Sequence, residues 1–144
     1  MLAHAHVSRR LDDDLRSEHG LSLQEYVSLL ILAEAPGRRL RMGRLADALT
    51  LSKSGVTRLI DRLVEDGLVD RVTCSSDARG AEARLTRAGV DRLRSAAPTH
   101  LRGIAEYFLA EIAPDDLPEI ERVMTNVARC ASEAPSSRRD RASS

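Results

Sequence analysis

Aromatic residues are nearly missing from this chain of 144 residues. Tyr26, Tyr107 and Phe108 make up the whole set, without a tryptophan. The core must therefore be aliphatic, and base- or sugar-stacking platforms, which need aromatic faces, are nearly excluded as a binding mode. Cysteine is scarce too. Cys74 and Cys130 are too few for a disulfide framework and lack C-x-x-C spacing, which implies a reducing, cytoplasmic compartment. Long hydrophobic runs are absent: the longest apolar block, Val27 to Ala35, is broken by Ser28 and Glu34, so no membrane span and no membrane partner are expected. G-x-S-x-G, a Gly-rich phosphate loop and H-E-x-x-H are all missing. The carboxylates are scattered over helix surfaces, so an enzyme is not expected and no cofactor is implied.

The residues present form an ordinary globular mixture, 42% hydrophobic and 31% charged, which excludes wholesale disorder. The length suits one compact domain, or a small domain with an extension used for assembly. Twenty-two basic and 22 acidic side chains cancel, but unevenly. Residues 38–94 hold 13 basic and 8 acidic groups, whereas the segments on either side are net acidic. A basic middle between acidic ends suggests that one segment meets a polyanion.

Val7, Leu11 and Leu15 recur at helical spacing in a first helix, with Asp12, Asp13 and Asp14 expected on a solvated face. Gly20 stops it. Ser22 and Glu25 form a capping box for a second helix with Leu23, Tyr26, Val27, Leu30 and Ile31 on one face. After Pro36-Gly37 comes a short extended piece, then a two-turn helix marked by Leu45, Ala46 and Leu49. Ser52 caps the next helix, whose buried face is Val56, Leu59, Ile60 and Leu63, and Gly67 closes it. Leu68 to Cys74 and Ala81 to Leu85 read as a hairpin. Thr86 caps a long helix with Val90, Leu93, Ala97, Leu101, Ile104, Phe108 and Ile112 on one stripe, kinked or restarted at Pro98. Pro114 opens a last helix carrying Ile120, Val123, Met124 and Val127. The fold class is mainly α with a small β-hairpin wing: a winged helix-turn-helix flanked by N- and C-terminal helices. The expected divisions are an N-terminal dimerisation helix (1–20), the winged domain (21–94), C-terminal dimerisation helices (95–132) and a frayed tail (133–144). The outer stripes have no large core of their own, and pairing two chains would bury them.

The chemistry lies in the middle. Away from its apolar stripe, the helix after Ser52 carries Ser52, Lys53, Ser54, Thr57, Arg58 and, a turn on, Arg62. Short hydroxyl groups with Arg and Lys are what a major groove requires, and the positive helix end favours phosphate. The bland alternative is an exposed helix surface. At the hairpin tip, Asp77 and Arg79 sit beside Gly80. An arginine there fits a narrow minor groove, with Asp77 orienting it; the alternative is a solvated turn.

The run from Leu45 to Gly89 resembles the multiple-antibiotic-resistance regulator (MarR) family of winged-helix repressors. Leu-Val-Glu-Asp-Gly-Leu-Val-Asp-Arg at 63–71, Asp77-Ala78-Arg79-Gly80 and Leu85-Thr86-Arg87-Ala88-Gly89 carry the likeness. The resemblance implies a homodimer joined by its terminal helices and bound to double-stranded DNA at an inverted-repeat operator. It gives Ser52, Lys53, Ser54, Thr57, Arg58 and Arg62 contacts to bases or phosphates, Arg79 the minor groove, and Asp77 the organising role. It also implies a small-molecule effector between the dimer helices and the winged domain, where His19, Tyr26 and His100 are the candidates. Redox or metal sensing is the alternative regulation. Cys74 and Cys130 are not in the N-terminal region that such oxidant sensors use, and His4 and His6, two apart on a helix, share no face, so no metal site is expected. A winged-helix module that binds protein and no operator is the other alternative.

Overall fold

Three helices start where a side chain caps them. The computed structural model describes residues 2–73, 81–110 and 112–133. In chain order these form α1 (Leu2–His19), α2 (Leu23–Glu34), β1 (Arg39–Arg41), α3 (Met42–Ala48), α4 (Lys53–Glu65), β2 (Val69–Thr73), β3 (Ala81–Leu85), α5 (Arg87–Ile104) and α6 (Leu117–Glu133). The capping box is present: the Glu25 N–H donates to Ser22 Oγ, and the Ser22 N–H donates to Glu25 Oε2. Ser52 and Thr86 cap α4 and α5 in the same way, accepting from the N–H groups of Gly55 and Gly89.

The fold is the expected one, mainly α with a small antiparallel sheet of order β1-β3-β2. The anticipated hairpin, β2 with β3, gains β1 as an edge strand, with Leu40 opposite Ala83. Leu15, Leu29, Leu32, Leu45, Ile60 and Leu63 are fully buried in one aliphatic core, which Tyr26 joins.

Several expectations need correction. In α2 the deepest residues are Tyr26, Ser28, Leu29 and Leu32, while Leu23, Val27, Leu30 and Ile31 are half-buried. This helix is apolar almost all round, so periodicity alone could not pick its innermost face. The terminal α1 does have a partner within the chain: Leu11 and Leu15 are buried, and α1 packs along α5 so closely that a Cβ on Gly103 would stand 2.5 Å from Leu11 Cδ2. Nor is the aspartate run simply solvated. Asp12 accepts from the Leu23 N–H at 2.8 Å and pairs with Arg16, and Asp14 accepts from the Tyr107 hydroxyl at 2.8 Å.

In α5 the buried face is Val90, Leu93, Ala96, Thr99 and Gly103, and Leu101 is exposed. Pro98 lies inside the helix without ending it. It faces solvent, where water can satisfy the carbonyl its ring leaves unpaired. The helix passes into a π-helical turn over Ala105–Leu109 and stops short of Ile112.

The chain divides into Met1–Phe108 and Leu109–Ser144. In the second unit a 3-10 turn at Pro114–Asp116 leads into α6. Its apolar residues Val123, Met124 and Val127 are exposed.

Candidate nucleic-acid interface

The helix-turn-helix is α3 and α4. Between them Thr50 takes a positive φ of 54°, and the Leu51 N–H closes the turn on the Ala46 carbonyl at 2.9 Å. Val56, Leu59, Ile60 and Leu63 are at most 2% exposed. Burying that stripe turns Ser52, Lys53, Ser54, Thr57 and Arg58 outward, and all five are exposed. The sequence therefore brings this set to one end of one helix.

Local hydrogen bonds limit what each group can offer. Ser52 Oγ serves as the cap and lies 3.2 Å from Ser54 Oγ. The Thr57 hydroxyl donates to the Lys53 carbonyl at 2.8 Å. Thr57 thus presents lone pairs and a methyl group outward, an acceptor for base amino groups and an apolar contact for thymine. The Gly55 N–H goes to the Ser52 cap, so the Lys53 and Ser54 N–H groups are the ones that add first-turn donors suited to phosphate.

Arg62 is already engaged. Its Nε lies 3.3 Å from Oε1 of Glu25, which is largely buried at the start of α2. The side chain remains 59% exposed, and Nη1 and Nη2 stay available. Two further residues belong to this face, Arg71 and Asp61. Arg71 of β2 reaches across to α4, where its Nη2 lies 2.6 Å from Asp61 Oδ1 and 3.3 Å from the Thr57 carbonyl. Strand periodicity held the signal: Arg71 shares a face with the buried Val69 and so points toward the helix.

The wing is β2 paired with β3. Asp70 and Arg84 are register partners joined by a 2.8 Å ion pair. Asp77 and Arg79 lie outside the described residues, as does Cys74; Cys130 falls in α6. The Leu-Thr-x-x-Gly run has a mechanical basis. Thr86 caps α5 while its hydroxyl faces the Gly67 and Leu68 carbonyls at 2.8 and 3.0 Å. A Cβ on Gly89 would meet the Leu68 carbonyl oxygen at 2.2 Å.

Of the candidate effector residues, Tyr26 of α2 and His100 of α5 meet. The Tyr26 and His100 rings are tilted at 38° with centroids 4.6 Å apart. Burial pushes the His100 imidazole below its ordinary range and the Tyr26 phenol above its own. His100 Nδ1 is buried with no hydrogen-bond partner among the described residues. His19 Nε2 lies 2.9 Å from Thr99 Oγ1, which donates to Glu18 Oε2. His19, at the end of α1, is thus tied to Thr99, the residue before His100. His4 and His6 are exposed on α1. Among the described residues no group of three or more His, Cys, Asp or Glu side chains could hold a metal ion, and no helix is long and apolar enough to cross a membrane.

The MarR family model matches residues 19–80. The HTH-type transcriptional repressor YetL of Bacillus subtilis is 34% identical over 86 residues, which cover 60% of this chain and 52% of that relative, about half its length. AbsC of Streptomyces coelicolor, a MarR family transcriptional regulator, superposes with a TM-score of 0.81 at 34% identity, covering 90% of this chain and 87% of that one. Sco3205 of the same organism, a MarR family transcriptional regulator solved in complex with DNA, gives a TM-score of 0.83 at 33% identity and covers 93% and 82%. The helix-turn-helix geometry, the three-stranded wing sheet and the likeness to these two solved regulators over most of both chains lead to one conclusion: the chain belongs to the MarR family of transcriptional regulators.

Proposed function

We infer that this protein is a homodimeric, sequence-specific DNA-binding repressor, acting in the cytoplasm on its own or a nearby promoter. One observation carries the reading. The residues of α4 divide cleanly, with Val56, Leu59, Ile60 and Leu63 inside and Ser52, Lys53, Ser54, Thr57 and Arg58 outside. Two copies would lay α4 in successive major grooves of an inverted repeat, about one helical turn apart. Ser52 and Ser54 would meet phosphates or base edges, Thr57 a base, and Lys53 and Arg58 phosphate or guanine. Arg62 would keep Nε on Glu25 and turn its two Nη groups to the backbone. Arg79 would enter the minor groove, ordered by Asp77. The DNA complex of the relative Sco3205 and the repressor name of YetL support the reading, and the exposed stripe of α6 supports dimer formation.

A small-molecule effector is part of the proposal. His100 supports it through a buried Nδ1, beside the Tyr26 ring, that has no partner among the described residues, since a buried polar atom without a partner is costly. His19 would border the same site. The test is a gel-shift and footprint of the full chain on the DNA upstream of its own gene, over a salt series. Protection of two half-sites with salt-sensitive affinity is expected, and sequence-independent binding or none would overturn it. An effector should release that DNA from wild type but not from His100→Leu.

A further inference from the structure

The wing and the recognition helix are bridged by one arginine. Val69 anchors the start of β2 in the core at 1% exposure. Beyond it an open groove of about 440 Å³ separates the strands from α4, with Met42, Lys53, Val56, Thr57, Arg71 and Ala81 on its walls. Among the described residues apolar packing does not fill this space, and Arg71, on its wall, reaches α4. Its guanidinium takes the Asp61 carboxylate at 2.6 Å and the Thr57 carbonyl at 3.3 Å. Thr57 and Asp61 are four residues apart, one helical turn, so both grips fall on the same side of α4.

Asp61 is otherwise hard to explain. A carboxylate one turn beyond Thr57 and three residues from Arg58 places negative charge on the face that turns toward a polyanion. Its pairing with Arg71 offsets that charge. We propose that Arg71 is a positioning residue for DNA recognition, which through Asp61 and the Thr57 carbonyl fixes the wing sheet against α4 so that both meet the duplex as one body. The inference rests on the DNA-binding reading above. Arg71 acts through Asp61 and Thr57, both of which its Nη2 engages.

The sign of the Asp61 effect decides the matter. If charge alone mattered, neutralising an acid on the DNA face would tighten binding. If the pair sets the geometry, the same change weakens it. The full chain, with Asp61→Asn, Asp61→Glu, Arg71→Ala and the Asp61→Asn/Arg71→Ala double variant, is titrated against the upstream fragment that wild type shifts, over a salt series and alongside thermal unfolding. The expected result is about tenfold weaker binding for Asp61→Asn and for Arg71→Ala, with the double variant no weaker than Arg71→Ala by more than about twofold, the mark of a coupled pair. The salt slope of Asp61→Asn stays that of wild type, and Asp61→Glu, which keeps the carboxylate, recovers most of the affinity. Asp61→Asn binding as tightly as wild type or tighter would overturn the proposal. So would additive losses with a salt slope lower by about one in Arg71→Ala, the signature of a direct phosphate contact, or losses that only follow unfolding. Failure of wild type to shift any DNA would instead overturn the DNA-binding reading, and this inference with it.

Discussion

Arg62 Nε of the recognition helix stands 3.3 Å from Glu25 Oε1, while the other oxygen of that carboxylate accepts the Ser22 N–H at 2.8 Å. One largely buried side chain therefore closes the cap of α2 and ties α2 to α4. Glu25→Ala removes the reciprocal half of the capping box and leaves the guanidinium without its partner. A loss of about 1–2 kcal/mol is expected in urea denaturation. Glu25→Gln, which keeps an acceptor for the Ser22 N–H, costs less. An alanine variant as stable as wild type would show that the tie contributes nothing.

Two glycines of α5 separate by what stands in front of them. At Gly89 a new Cβ meets a backbone oxygen, that of Leu68, at 2.2 Å, and the backbone cannot yield without parting α5 from the start of β2. Gly89→Ala should cost at least about 2 kcal/mol, as overpacking does. At Gly103 the nearest atom, 2.5 Å away, is the end of the Leu11 side chain. A rotamer change can absorb much of that clash, and alanine also favours helix by about 1 kcal/mol. Thermal melts should therefore show Gly103→Ala much nearer wild type. Equal losses would contradict the packing described.

Burial holds the His100 imidazole below its ordinary value of 6.5. The unfolded chain takes up this proton near the ordinary value, and the folded chain only at lower pH. The contribution of neutral His100 to stability is thus complete above that value and is lost as pH falls below it. Urea midpoints should drop between about pH 7 and about pH 5, less steeply in His100→Gln than in wild type. Parallel curves would remove His100 from the pH response.

On DNA, Lys53→Ala should lower the salt slope by about one unit if the ammonium neutralises a phosphate. Thr57→Val keeps the methyl but loses the acceptor oxygen, so it should relax discrimination at one base-pair position by about 1–3 kcal/mol and leave the slope alone. Arg79→Ala should weaken operator binding by about 1–3 kcal/mol if the wing enters the minor groove. Fluorescence anisotropy on operator and single-substituted fragments distinguishes these outcomes, and an unchanged affinity for Arg79→Ala would remove the wing from the interface.

The amphipathic stripe of α4 and the caps at Ser22, Ser52 and Thr86 were legible from residue order alone. So were the aliphatic nature of the core and the family likeness through the wing motifs. Each depends on neighbours within about one helical turn or on residue type, which the chain itself carries. Tertiary structure decided the rest. It chose Leu29 and Leu32 as the inner face of an α2 that is apolar nearly all round, and left Leu101 outside a stripe that periodicity had drawn through it. It turned Asp12 and Asp14 from a solvated run into anchors for the Leu23 N–H and the Tyr107 hydroxyl. It brought Arg62 to Glu25 and Arg71 to Asp61, pairings 37 and 10 residues apart in the chain. Residue type admits any of many carboxylates to such an arginine; only the packing of helix on helix and strand on helix selects one.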